Sequence, residues 1–236
     1  MIGSTLKLLA ATDYDGTINI HGEVSAENRS AIRAWRESGR YFGVVTGRGM
    51  DFYDTASDIG LEYDFLLVHT GAQLVLPDGS VVKEHRIPRD DFSLLENFFS
   101  LVSRRDVLSC SETGEGEVFH QYYARAKDQK TALVYSDKLN ALFGDRITAY
   151  VNGPHINICA AGIGKTSGVY DALEYFGLPR DAAAVFGDDY NDREMIINHS
   201  GWMMSTAPAE LLAEAPHVCD SVWEVLNSLL QAGKGE

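Results

Sequence analysis

The apolar run Leu8-Leu9-Ala10-Ala11-Thr12, followed at once by Asp13-Tyr14-Asp15-Gly16-Thr17, constrains this chain more than any other stretch. The run is short enough for a fully buried strand, and the Asp-x-Asp-Gly-Thr sequence breaks that strand into a turn. Two carboxylates therefore stand at a strand's carboxyl end. In an open α/β sheet that edge is where the loops form a ligand-binding crevice. Like charges so close repel unless a cation sits beside them. A hard divalent ion such as Mg²⁺, which takes oxygen ligands from carboxylates and substrate phosphate, is the simplest resolution. Taken alone, the same residues also read as an Asp-rich turn.

The rest of the chain supplies a sheet for that strand. Ser25 to Ser38 reads as a helix, N-capped by Ser25 and stopped by Gly39. Tyr41 to Thr46 is a second buried strand, Met50 to Asp58 a helix, and Asp64 to His69 a third strand. Alternation of this kind implies a parallel sheet. Pro77-Asp78-Gly79-Ser80 separates Gln73–Leu76 from Ser80–Lys83, as in a hairpin. From about Glu84 the texture changes to an α-β-β-α-β-β unit. It comprises a helix over Asp90–Ser103, a strand over Val107–Ser111, an acidic loop over Glu112–Glu117 and a strand over Val118–Ala124. A helix over Thr131–Phe143 and the hairpin strands Arg146–Val151 and His155–Ala160 complete it. The α/β pattern then resumes with a helix over Lys165–Phe176, a strand over Ala182–Phe186 and a helix over Asn191–His199. Short strands at Trp202–Met204 and His217–Cys219 precede a closing helix over Ser221–Gln231. The expected fold is a Rossmann-like parallel-sheet core, residues 1–83 and 161–236, with an inserted α+β domain at 84–160.

Composition limits the partners. The formal net charge is -14 over 236 residues, with no Lys/Arg-rich run, so nucleic acid and anionic membrane are not expected partners. A local cation and a few basic side chains still suffice to admit an anionic substrate into one cleft. Three scattered cysteines without a C-x-x-C pair predict neither a disulfide scaffold nor a zinc site. The apolar run near Met1 meets Asp13 too soon for a spanning helix and lacks a cleavage site after it, which predicts a cytoplasmic protein.

Three further polar clusters fall at ends of the same predicted elements. Thr46-Gly47-Arg48 closes the second strand, Lys165 opens a helix, and Gly187-Asp188-Asp189-Tyr190-Asn191-Asp192 follows the late strand. Each alone reads equally as a turn, a solvated first-turn residue or a helix cap. Their joint occurrence at strand ends is what singles them out.

This order resembles the haloacid dehalogenase-like phosphohydrolases, whose four motifs are similar to Asp13–Thr17, Val45–Arg48, Lys165 and Gly187–Asp192. The insertion is similar to the type IIB cap of the Cof-like subfamily. The resemblance implies Asp13 as nucleophile and Asp15 as general acid and base, with Mg²⁺ held by Asp13, the Asp15 backbone carbonyl and Asp188. It implies phosphate contacts from Thr46, with Gly47 and Arg48 beside it, and from Lys165. Asp192 would orient the metal shell or the Lys165 ammonium, and Asn191 could reach metal water or phosphate. Asp189 reads equally as a solvated acid or as a supporting group. Tyr14 departs from the usual aliphatic residue, and His69-Thr70-Gly71-Ala72 from the usual Asn-Gly-Ala. Two other matches fail: a Walker A loop before Lys165 would need Gly at Cys159, and Gly162-Ile163-Gly164 lacks the third Gly of a dinucleotide fold.

The expected activity is Mg²⁺-dependent hydrolysis of a small phosphorylated metabolite of the sugar-phosphate class. A phosphomutase of the phosphomannomutase type and a non-catalytic sugar-phosphate sensor are the alternatives. Within the insertion, His120, Tyr122, Arg125, Lys127, Asn152 and His155 are candidate substrate contacts. Arg125 or Lys127 is expected to face the cleft, where an acidic protein most needs positive charge.

Overall fold

The computed structural model describes residues 6–102, 107–115 and 118–233, with side chains left undescribed in 107–115. The first half of the chain runs β1 (Leu9–Thr12), β2 (Asn19–Ile20), β3 (Glu23–Val24), α1 (Ala26–Glu37), β4 (Tyr41–Val45), α2 (Asp51–Asp58), β5 (Phe65–Val68), β6 (Gln73–Val75) and β7 (Val81–Glu84). Next come α3 (Arg89–Val102), β8 (Val107–Glu115), β9 (Val118–Ala126), α4 (Gln129–Phe143), β10 (Ile147–Asn152) and β11 (His155–Ala160). The last part runs α5 (Lys165–Tyr175), β12 (Ala183–Gly187), α6 (Arg193–His199), β13 (Trp202–Met204), α7 (Ala209–Glu214), β14 (His217–Cys219) and α8 (Val222–Ala232).

β1 is the axis of the larger sheet, whose strand order is β14-β13-β12-β1-β4-β5-β6-β7. It pairs in parallel with β12 on one side (Leu9 with Ala183) and with β4 on the other (Leu9 with Tyr41). Both edges of this strand are therefore occupied, and all four of its residues are buried. The pairs from β14 through β5 are parallel, and β6 and β7 turn back antiparallel through the expected hairpin. One face packs Trp35, Phe42, Phe52 and Phe186 with α1 and α8; the other packs Leu67, Val169, Leu173 and Met195 with α5 and α6. Trp35 is fully buried and its indole N–H donates to Tyr41 O at 2.9 Å. Truncating a side chain so placed costs about 3–5 kcal/mol. Ser25 caps α1 by accepting from Asn28 N at 3.1 Å, a contact typically worth about 1 kcal/mol.

The second sheet, order β10-β11-β9-β8, is antiparallel, with α3 and α4 packed on it. Its hydrophobic cluster is distinct from the two in the larger sheet and includes Phe92, Leu95, Phe99, Leu139, Ile156 and Ile158. Among the described residues, no helix is long and apolar enough to cross a membrane.

The structure departs from the sequence expectations in three places. Glu112 to Glu115, expected in a loop, extend β8 in register with β9, while residues 116 and 117 lie outside the described residues. Asn19–Ile20 and Glu23–Val24 form a small hairpin around His21 and Gly22, at φ 56° and 90°. Two successive left-handed residues are what a tight two-residue turn requires. The third is α7, six residues long, which follows Pro208.

Candidate active site

The site is built where β1, β4 and β12 end together. Asp13 N donates to Phe186 O at 2.9 Å, so the acid directly prolongs the β1–β12 ladder. Gly16, at φ 88°, then turns the chain back, and Asn19 N donates to Tyr14 O at 2.8 Å. Any Cβ at Gly16 would lie 2.2 Å from Asp188 Oδ2, so the first acidic loop packs against the late one only because this residue is glycine.

Three carboxylates and one ammonium make the floor. Lys165 Nζ donates to Asp13 Oδ1 at 2.5 Å and to Asp192 Oδ1 at 2.7 Å, and its side chain is wholly buried. Asp192 Oδ2 accepts from the backbone N–H of Asp188 at 3.1 Å and of Asp189 at 3.2 Å. Asp188 Oδ1 accepts from Thr17 Oγ1 at 2.9 Å. Oxygens of Asp13, Asp188 and Asp192 lie within 4.8 Å of one another. Two full charges at that distance repel by about 3–4 kcal/mol at an effective dielectric constant near 20.

The titration behaviour follows. Burial drives the Asp13 carboxyl well above the usual carboxylate range, Lys165 opposes it, and Asp192 and Asp188 add repulsion. Burial, then Asp192, pushes Asp188 up to about 7, with the Thr17 hydrogen bond opposing. Burial alone would lower the Lys165 ammonium, but Asp13 and Asp192 outweigh it and hold Lys165 above its ordinary value.

Among the described residues, Asp13 Oδ2, Asn191 Oδ1 and Asn191 Nδ2 are buried polar atoms without a partner. Unpaired buried groups cost about 1–3 kcal/mol each, so a site that leaves them orphaned is shaped for something else to bind. Hard oxygen donors under mutual repulsion fit a Mg²⁺-sized cation.

Above the floor, Thr46-Gly47-Arg48 leaves the end of β4. Thr46 is 2% exposed, and its Oγ1 accepts from Arg48 N at 3.1 Å. Arg48 turns to Asp15, with Nε 2.8 Å from Oδ2 and Nη2 2.7 Å from Oδ1. Tyr14, the unexpected residue between the acids, is 4% exposed. Its ring meets Phe52 edge-on at 4.7 Å and lies under the Arg48 guanidinium at 5.2 Å. It thus forms part of the shelf on which Arg48 rests.

These groups open into a cleft of about 360 Å³. The larger sheet contributes Asp13, Asp15, Thr46, Gly47, Arg48, Gly49 and Asp51. The second sheet contributes Gln121, Tyr123, Asn152, His155 and Asn157. Lys165, Asp188, Asn191 and Asp192 lie in or against the floor, outside the lining. Asp189 joins the two sheets instead: Oδ2 accepts from Gly153 N at 2.7 Å, and Oδ1 from Gln129 Nε2 at 3.3 Å.

The second-sheet wall differs from the sequence expectation. Arg125 and Lys127 are exposed and do not line the cleft. Alternation along β9 points Gln121 and Tyr123 at the cleft and carries Arg125 to the same face beyond its rim. Lys127 borders a separate depression with Lys130 and Lys138. His120 is buried beside Glu84, and Tyr122 belongs to the second sheet's apolar cluster. Asn152 and His155 do line the cleft, whereas Gln121, Tyr123 and Asn157 were missed. An Asn inside the apolar run of β11 is the available signal for Asn157, and the alternation of β9 the signal for Gln121 and Tyr123.

The chain matches the family model described as haloacid dehalogenase-like hydrolase over residues 10–132 and 111–229. A curated relative, 5-amino-6-(5-phospho-D-ribitylamino)uracil phosphatase YcsE of Bacillus subtilis (strain 168), is 25% identical over 200 residues, or 80% of this chain and 79% of the relative. The fold is shared with the phosphatase BT1666 from Bacteroides thetaiotaomicron, at TM-score 0.79 and 20% identity over 99% of this chain and 97% of that one. It is also shared with the subclass IIB sugar phosphatase BT4131, at TM-score 0.77 and 16% identity over 93% and 98%. With two acidic loops and a buried lysine gathered at one sheet edge, and a family model spanning both halves of that sheet, the chain belongs to the haloacid dehalogenase-like hydrolases and is a phosphatase.

Proposed function

We propose that this phosphatase is Mg²⁺-dependent and hydrolyses a small phosphorylated polyol or sugar through an aspartyl-phosphate. The observation that carries the reading is the asymmetry of Asp13: Lys165 pins Oδ1, while Oδ2 is buried without a partner. A carboxylate held by one oxygen and open at the other is oriented as a nucleophile.

Asp13 attacks phosphorus as the ester P–O bond breaks, and Asp15 gives its proton to the departing alkoxide. Water then attacks phosphorus, Asp15 takes that proton, and orthophosphate leaves with the Asp13 carboxylate restored. Thr46 donates to a phosphate oxygen, and Lys165 places positive charge beneath the transferring group. Asp13, the Asp15 carbonyl and Asp188 would hold Mg²⁺, with Asp192 and Asn191 steadying that arrangement. When bound, the ion offsets repulsion between carboxylate and phosphate.

The segment 84–160 acts in this reading as a cap over the core formed by 1–83 and 161–236. Its wall of Gln121, Tyr123, Asn152, His155 and Asn157 offers neutral hydrogen-bonding groups, which suit hydroxyls. Burial, then Arg125, lowers His155 and favours its neutral form. The relative's name places its phosphate on a ribityl chain, a polyol, in agreement with such a wall. Phosphate release from a panel of phosphorylated metabolites with Mg²⁺ tests the reading. Asp13→Asn should abolish turnover with the fold intact; near wild-type hydrolysis by that variant would remove Asp13 as nucleophile.

A further inference from the structure

Gln121 belongs to the second sheet, yet its amide reaches the loop that leaves β4. Its Oε1 accepts from Thr70 Oγ1 at 3.0 Å. Its Nε2 donates to Gly47 O at 3.2 Å and to Asn157 Oδ1 at 3.0 Å. The residue is 1% exposed, so these contacts stand where water would otherwise be.

The peptide between Gly47 and Arg48 is consequently held at both ends. Its carbonyl accepts from Gln121, and its N–H donates to Thr46 Oγ1 at 3.1 Å. A hydroxyl whose oxygen already accepts keeps one proton to give, and Thr46 borders the cleft. Rotation of this peptide would withdraw the N–H from Thr46 and turn a carbonyl oxygen toward an incoming anion. Gly47 has no side chain to resist that rotation. A Cβ there would lie 2.6 Å from Asn157 Nδ2, so the second sheet's close approach also depends on the glycine. The Thr70 contact ties the same amide to a backbone stretch at positive φ: His69 at 53°, Thr70 at 59° and Gly71 at 91°. Thr70 N in turn donates to Thr46 O at 2.9 Å, closing the circuit around the loop.

We infer that Gln121 is a positioning residue for the phosphoryl group, fixing the Gly47–Arg48 peptide so that Thr46 presents its proton to phosphate. The inference deepens the phosphatase reading and rests on it: the second sheet serves the phosphate end of the substrate as well as its leaving group. A leaving-group contact would matter only for substrates large enough to reach it. The Gln121 effect must extend to the smallest ligand, inorganic phosphate itself.

The experiment compares the wild type with Gln121→Met, which keeps length without hydrogen bonding. Gln121→Asn, whose amide is one methylene too short for Gly47, decides the matter if the first variant does not fold. Inorganic phosphate is titrated directly by ³¹P NMR in the presence of Mg²⁺ and, separately, used as a competitive inhibitor of p-nitrophenyl phosphate hydrolysis. Either variant should weaken phosphate about tenfold, the loss of one good hydrogen bond, and raise KM for aryl and alkyl esters by a similar factor. The fall in kcat should be smaller, and the melting temperature should drop because the buried partners of the amide lose a hydrogen bond, with cooperative unfolding retained. A folded variant with wild-type phosphate affinity overturns the inference. If the wild type hydrolyses no phosphate ester but binds phosphate, the phosphatase reading fails and the NMR comparison still decides the role of Gln121. If it binds no phosphate, both fail.

Discussion

Arg48 grips Asp15 with two parallel hydrogen bonds, Nε to Oδ2 at 2.8 Å and Nη2 to Oδ1 at 2.7 Å. The fork orients the carboxylate, and Tyr14 and Phe52 support the guanidinium from below. The Arg48 and Asp15 side chains are 40% and 45% exposed, so screening limits the pair to about 1 kcal/mol or less. In the proposed reaction, such a grip would position Asp15 as the acid yet release it cheaply when a leaving group arrives.

Removing the acid should therefore discriminate between leaving groups. Asp15→Asn is expected to lower kcat for alkyl phosphates by about 10²–10⁴ and for p-nitrophenyl phosphate by much less, because only the alkoxide needs a proton. Arg48→Lys, which loses the fork, should show the same bias at smaller size. Equal losses on both ester types in steady-state assays would refute the acid role.

Lys165 is the counter-ion to two buried acids, so its removal should be felt in stability. Lys165→Met leaves Asp13 and Asp192 without their shared cation and should cost about 3–5 kcal/mol near pH 8. In that variant the Asp13 carboxyl, already raised by burial and now without the opposing Lys165, takes up its proton as pH falls, so the deficit shrinks. Urea unfolding at pH 8 and pH 5, in the absence of metal, measures it. A deficit independent of pH would contradict the charge explanation.

The metal reading makes a further prediction about pH. Burial, then the neighbouring Asp192, pushes the Asp188 carboxyl up to about 7 in the folded chain, from an ordinary value of 3.8. Between those values the folded state binds more protons than the unfolded one, so metal-free stability declines as pH rises through 7 and then levels. Mg²⁺ binds the ionised carboxylates, so the gain in Tm on adding it should be small at pH 5 and largest above pH 7. Thermal melts with EDTA or Mg²⁺ across that range supply the comparison. A constant increment would argue against these acids as ligands.

On the cap wall, Tyr123→Phe and His155→Ala should raise KM for the preferred metabolite by about tenfold and for p-nitrophenyl phosphate by distinctly less. Tyr123 OH meets His155 Nδ1, so the two effects should not add. Arg125→Ala and Lys127→Ala serve as comparators from outside the cleft lining.

Much of the fold and of the site is legible in the sequence, and the reasons are local. The strands that meet at the site, β1, β4 and β12, are short, largely buried runs followed at once by Asp13, Thr46 and Asp188, and burial at both faces leaves little freedom in reading such runs. The acidic loops and Lys165 could be placed because strand ends in a parallel sheet share one edge. The small hairpin escaped because His21-Gly22 is a weaker turn signal than Asn-Gly. The helix α7 escaped because six residues carry too little periodicity. The cap wall was misread on charge. Arg125 or Lys127 is expected there because a phosphorylated ligand needs a cation, whereas the cation nearest Asp13 is Lys165 and the second sheet lines the cleft with uncharged side chains and His155. Which residue of β9 reaches the cleft depends on how far the second sheet overhangs the first, and no property of β9 alone encodes that distance.

The pairing of β1 with β12 joins residues some 170 positions apart. During synthesis, β1 can find β4 early, and residues 84–160 can close their own antiparallel sheet as a contiguous piece. The other flank of β1 has no partner until β12 has been made. The long-range loop must then close before its contacts repay it, which slows the last step relative to the local ones. Asp13 draws its backbone support from Phe186, so the carboxylate proposed as nucleophile takes its place only when this late pairing forms. A chain arrested before that point would carry a folded second sheet, an unpaired flank of β1 and an unassembled acidic site.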